Sequence, residues 1–165
     1  MSNLVELTMY QVSQIFLLPT LLLIAALFLY AFWVLGEFLL LGLYRKRGAG
    51  KPLLTLFRAN TGLTPDELDV LAHKVLENPR IASRVTPMLG LVATMIPMGP
   101  ALKSLSDGNL AQVSENLTIA FSAVILALIA ASITYWVVNV RRRWLAEELV
   151  EVEALRRGLS PEPAA

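Results

Sequence analysis

Residues 116–140 read NLTIAFSAVILALIAASITYWVVNV, 25 consecutive positions without Asp, Glu, Lys, Arg or His. The hydrocarbon core of a bilayer is about 30 Å thick, and roughly 20 residues of α-helix cross it. Lipid offers backbone amides no partner, so such a run must bond to itself as a helix. Two more uncharged runs lie upstream: residues 15–36, 22 positions that stay apolar past Glu37 to Tyr44, and residues 85–102, 18 positions. The run at 85–102 contains Pro87, Pro97 and Pro100, and its alternative is a buried helix of a water-soluble domain. Composition favours the membrane: 56% hydrophobic and 16% charged over 165 residues, with mean hydropathy +0.61. Soluble domains carry roughly 45–50% apolar residues.

Basic residues set the expected orientation. Residues 1–14 hold no Lys or Arg, and between the second and third runs there is only Lys103. The other 13 of the 14 basic residues fall between the first two runs or after the third. The positive-inside rule then places the N-terminus outside and both basic segments in the cytoplasm. The expectation is an all-α integral membrane protein of the cytoplasmic (inner) membrane. Its parts are an outer segment (1–14), transmembrane helix 1 (15–44), a cytoplasmic helical loop (45–84) and transmembrane helix 2 (85–102). An outer hairpin (103–115), transmembrane helix 3 (116–140) and a cytoplasmic tail (141–165) follow. A cleaved signal peptide is not expected, since a basic n-region is missing and the apolar run is too long.

Local signals fill in the connections. Gly48, Gly50 and Pro52 form a breaker cluster. Thr64-Pro65-Asp66-Glu67 reads as an N-cap, a first-turn Pro and two acidic residues, opening a helix expected to end near Asn78-Pro79. Asp107-Gly108-Asn109 marks a tight turn. Leu145, Leu149 and Val152 recur at i, i+4 and i+7, and Glu153 precedes Arg157 by four, so the third span should continue as one long helix, fraying near Gly158. That apolar stripe requires a neighbour. Trp136, Trp144 and Tyr135 suit an interfacial belt, and Arg141-Arg142-Arg143 a headgroup anchor.

Several function classes are excluded. The absence of Cys rules out disulfides, thiolate metal sites and a Cys nucleophile, and the one His, His73, rules out any site with two imidazoles. His73 lies in a charged helix and is expected to be solvated. No catalytic triad, P-loop or dinucleotide fingerprint is present, so neither an enzyme nor a cofactor is expected. A net charge of +1 gives no reason to expect nucleic acid.

Spans two and three contain no Asp, Glu, Lys, Arg or His, although an ion path through lipid ordinarily shows an ionisable residue at depth. They carry instead small and hydroxylated residues in register. Thr86, Gly90, Thr94 and Pro97 fall within about 80° of one another at 100° per residue. Thr118, Ser122 and Ser132 share a similar arc. Such residues line pores, and they also pack membrane helices against each other. Pro97 frees a backbone carbonyl that kinks the helix or polarises a cavity, and Pro100 acts as a terminator near the outer end. The Thr94 hydroxyl has the further option of bonding its own Gly90 carbonyl. Glu37, near the inner interface, is expected to pair with Arg45 or Arg47. Glu115 stands at the mouth of span three, as an entrance for cations or a solvated helix-start residue.

The stretch Arg84–Trp144 resembles the MotA/TolQ/ExbB proton channel family. Thr86-Pro87-Met88-Leu89-Gly90-Leu91-Val92-Ala93-Thr94 is similar to that family's second-span pattern, with Ala93 in place of the usual Gly. Leu117 to Leu128 is similar to the third-span pattern, with Ala123 and Val124 at its paired-Thr positions, Ala127 at its Gly, and Ser122 alone keeping a hydroxyl. The resemblance implies a homo-pentamer around a dimer of a single-span, MotB/TolR/ExbD-like membrane protein, each partner helix carrying the Asp that takes and releases the ion. It implies the channel-forming subunit of an ion-driven, proton-type motor or energy-transducing complex, with Thr94, Ser122, Thr118, Pro97, Gly90 and Thr86 lining the path. The alternative is a non-conducting membrane scaffold that organises a single-span partner.

Overall fold

The computed structural model describes residues 2–46, 50–60 and 64–159. They form four helices: α1 (Ser2–Lys46), α2 (Pro52–Ala59), α3 (Pro65–Ser106) and α4 (Leu110–Leu159), with no strand among the described residues. α1, α3 and α4 each contain a stretch long and apolar enough to cross a membrane, as the three uncharged runs predict. The chain is a multi-pass membrane protein. Arg47, Gly48 and the Pro/Ala end lie outside the described residues. Packing divides the chain into two compact units, Met1–Trp33 with Ile81–Thr134 and Val34–Arg80 with Tyr135–Ala165.

The helix starts follow the sequence signals. Thr64 and Glu67 form a reciprocal capping box: the Thr64 amide donates to Glu67 Oε2 at 2.8 Å, and the Glu67 amide to Thr64 Oγ1 at 3.3 Å. Gly108 takes the turn with φ 75°, and Asn109 Oδ1 accepts from the Gln112 amide at 3.2 Å to open α4. The end expected near Asn78-Pro79 does not occur. α3 runs through Pro79 and on to Ser106. A Pro inside a helix removes one hydrogen bond and clashes with the preceding turn, at about 3 kcal/mol. Here Leu76 and Ala82, on either side of Pro79, are both buried, and holding both turns packed outweighs that penalty.

In the first unit the usual arrangement of sizes is inverted. Small residues are buried (Ala93, Ala120, Ala123, Ala127, Ala130), while Leu18, Leu22, Met88, Leu91, Met95, Phe121 and Leu128 are exposed. Lipid is as apolar as Leu, so helices here gain by close approach and not by hiding large side chains. Ile24, Ala93, Ala123 and Ala127 form the core, with Leu21 and Leu89 against it. At Gly90 α3 approaches α4 closely: a Cβ there would stand 2.9 Å from the Ala127 Cβ. Pro100 has no amide to give the Ile96 carbonyl four residues back, and Gln14 Nε2 of α1 donates to that carbonyl at 3.3 Å.

The second unit has a core of larger side chains. Leu53, Leu54 and Phe57 of α2 pack on Leu68, Ala72 and Leu76 of α3 and on Leu145 and Val152 of α4. An eight-residue helix is too short to persist alone in water, so α2 exists by this burial, worth about 1.5–3 kcal/mol per large side chain. The stripe of Leu145, Leu149 and Val152 thus finds its neighbour inside the chain. Phe38 stacks on Trp144, their centroids 4.9 Å apart, and the Arg45 guanidinium lies 5.1 Å over the same indole. Glu148 is buried within this unit. Its Oε1 accepts from Arg45 Nη1 at 3.0 Å and its Oε2 from the Leu53 amide at 3.0 Å. Lys51 pairs with Glu151 one turn on.

Gly90→Ala should lower stability by about 1–3 kcal/mol, read as a lower Tm by circular dichroism in detergent. Ala127→Gly in the same chain should restore most of it, and absence of rescue would locate the damage elsewhere. A second expectation concerns pH. Burial pushes the Glu148 carboxyl above the usual carboxylate range, outweighing the Leu53 amide and the Arg45 and Lys51 charges. A carboxyl raised by folding contributes stability below its ordinary value of 4.5 and loses it as pH rises through the raised value. The capping carboxylate Glu67, held low by Thr64, has the opposite sign, and its contribution is lost as pH falls. Stability of the parent towards unfolding should therefore fall as pH rises across the first of these windows, relative to Glu148→Gln. Parallel profiles would assign the titration to another group.

Candidate functional site

Hydroxyls of the first unit's apolar helices bond back to their own helix. Thr86 donates to the Ala82 carbonyl at 2.6 Å, Thr118 to Ser114 at 2.8 Å, Ser122 to Thr118 at 2.8 Å and Ser132 to Leu128 at 2.7 Å. Thr134, buried, shares its proton between Ala130 and Ala131. With the proton committed, the lone pairs of each oxygen remain as acceptors. Among the described residues no group of His, Asp or Glu is placed to hold a metal ion.

Six positions carry the expected ion path, and the structure treats them differently. Thr86, Gly90 and Pro97 are buried by the chain's own packing. Gly90 is covered by α4, at Ala127 and Val124. Thr94 is half-buried, and its hydroxyl donates to the Leu91 carbonyl at 2.8 Å, three residues back, not to Gly90. Thr118 and Ser122 are exposed and share one groove, about 330 Å³, with Leu21 and Ile24 of α1 and Ile119, Ala123 and Leu126 of α4. Thr94 is not among its walls.

The two acidic candidates stand apart from that groove. Glu37 pairs with Arg141 Nη2 at 3.0 Å and not with Arg45, because eight helical residues separate Glu37 from Arg45 by about 12 Å along the axis. Arg45 is engaged instead by Glu147 and Glu148. Glu115 is exposed in the second turn of α4. His73 is exposed, with Nδ1 2.9 Å from the Asp69 carbonyl. Glu153 and Arg157 form the expected i, i+4 pair at 3.5 Å.

Two residues emerge only from the structure. Glu148 had a readable signal, since it lies three residues after Leu145 and four before Val152, on the apolar stripe itself. Gln14 had a fainter one, an amide bordering an apolar run in a chain whose second run contains prolines. Chemically, the groove offers oxygen acceptors in an apolar wall and no group of its own that titrates. It is suited to receive a hydrogen-bond donor from outside the chain.

The family model described as "MotA/TolQ/ExbB proton channel family" matches residues 72–154, half of the chain. The match takes in most of α3 and α4, beyond the Arg84–Trp144 stretch on both sides. No curated protein and no solved structure matches the chain.

Proposed function

This chain belongs to the MotA/TolQ/ExbB proton channel family, and on that premise we propose that it is the channel-forming subunit of a proton-driven, energy-transducing membrane complex. One observation carries the reading. Residues 85–102 and 116–140, both inside the matched region, contain no Asp, Glu, Lys, Arg or His, so we assign the group that takes and releases the ion to another chain. We assign that role to an Asp on a single-span partner helix, with copies of this chain, five in number, enclosing two such partners. Thr118 and Ser122 line the path with Thr94, while Thr86, Gly90 and Pro97 set the helix spacing behind it. Glu115 stands at the outer entrance and the Glu37–Arg141 pair at the inner interface.

A second reading is favoured by a specific feature. Ala123 and Val124 stand where the family carries paired Thr, and the hydroxyls present are engaged by their own backbone. A non-conducting scaffold that organises the partner fits those facts too.

Proton uptake into vesicles bearing this chain with its co-expressed partner separates the two. Each hydroxyl bond is worth about 1 kcal/mol, so a Thr94→Val, Ser122→Ala double variant should assemble normally while its flux falls by roughly tenfold or more. Undiminished uptake would reject the path and leave the scaffold. Orientation has its own test, since 13 of the 14 basic residues lie on the side assigned to the cytoplasm of an inner membrane. In a chain without native Cys, Ser2→Cys should react with an impermeant thiol reagent in intact cells and Ser160→Cys should not. The reverse pattern would invert the topology.

A further inference from the structure

Three consecutive arginines follow the third uncharged run, and the structure sends them to three places. Arg141 pairs with Glu37 at 3.0 Å, and Arg143 Nε lies 3.8 Å from Glu147. Arg142 has no acidic partner among the described residues. It lines a groove of about 220 Å³ between α3 and α4, within the second unit, that Arg80 also lines. Apolar wall residues include Val138, Leu76, Leu145 and Ala146. The acidic wall residue, Asp69, lies 11 residues of α3 away from Arg80, about 16 Å along the helix, and it sits beside His73.

Depth distinguishes what such a groove would take. Arg142 comes two residues after Val140, the last of the uncharged run, which is about 3 Å of helix. Val138 still belongs to that run, and Arg80 precedes the start of the second run by five residues. The basic end of the groove therefore stands where headgroups meet hydrocarbon. We propose that this groove binds an anionic phospholipid, its phosphate held by Arg142 and Arg80 and its apolar part against Val138. Arg suits the role because its planar fork meets two phosphate oxygens at once and remains charged under all physiological conditions. The inference rests on membrane insertion and is independent of whether the chain conducts.

The test is native mass spectrometry of the full chain in mild detergent, titrated with phosphatidylglycerol or phosphatidylcholine. Phosphatidylglycerol should bind in preference, and Arg142→Gln should weaken it about fivefold, the effect of one basic residue at a lipid surface. Arg143→Gln removes the same charge one residue away and should leave retention unchanged. Ala146→Trp, which fills the groove and keeps every charge, should also displace the lipid. Equal binding of the two lipids, or equal loss in both arginine variants, would reduce the effect to general surface charge and overturn the proposal. Displacement by inorganic phosphate at the lipid's concentration would do the same, by showing a site for the free anion. So would an Arg142→Gln variant that changed the number of copies and not the lipid bound, because the groove would then face a second copy of the chain.

Discussion

In hydrocarbon a polar group is satisfied by protein or not at all, and that single constraint shapes the first unit. Its hydroxyls donate to carbonyls three or four residues back because no water competes for them. Prolines in α3 strip amides from a helix that cannot borrow from solvent. At Pro100 the orphaned Ile96 carbonyl is met by Gln14, a polar residue that lipid would otherwise disfavour. Absence of charge from residues 85–102 and 116–140 belongs to the same logic. A carboxylate there would need a partner at depth, and the chain supplies none.

The second unit is built around larger side chains. Leu53, Leu54, Phe57 and Leu68 are buried in its core, and Glu148, 1% exposed, is a charged residue buried with them. A buried charge without partners is severely unfavourable. Glu148 is tolerated because the Arg45 guanidinium and the Leu53 amide reach its two oxygens. The same contacts tie α2 to α4, and the Leu53 amide is one of the first-turn donors that no helical carbonyl can satisfy. A polar residue placed on an apolar stripe thus closes a helix N-terminus that lacks a side-chain cap of its own.

The legible parts of this fold are those governed by local chemistry. Three uncharged runs, the Thr64–Glu67 box and the turn at Gly108 are decided within a few residues, and each stands as the pattern predicts. The stripe of Leu145, Leu149 and Val152 was legible as a surface needing cover, but not that α2 covers it. That required Leu53, Leu54 and Phe57 to meet residues about 90 positions away. Glu37 was misread for a related reason. Arg45 is near it in sequence, yet the helical rise carries Arg45 off, and Arg141 comes in from another helix. The continuation of α3 through Pro79 was hidden because proline's local penalty is visible in the sequence and the packing that overrides it is not. Of the six pore candidates, periodicity puts Thr86, Gly90, Thr94 and Pro97 on one arc, and Thr86, Gly90 and Pro97 are buried while Thr94 is half-buried; periodicity says which residues share a face and not what that face meets.

The back-bonded hydroxyls bear on what a channel built this way would do. On the proposed reading, a partner Asp must exist in two states near Ser122 and Thr118, neutral and ionised. A hydroxyl whose proton is held by its own backbone accepts, so it welcomes the neutral acid, which donates. To serve the ionised acid it must rotate and surrender its helix bond, at about 1 kcal/mol. One pKa unit corresponds to 1.36 kcal/mol, so each hydroxyl raises the acid's pKa by only about 0.7 unit. Burial in an apolar wall pushes in the same direction and by more. A lining with its own Lys or Arg would instead trap the ionised form by several units. The absence of charge from these helices therefore leaves the carrier's two states close enough in energy to exchange, with the hydroxyls trimming the balance between them.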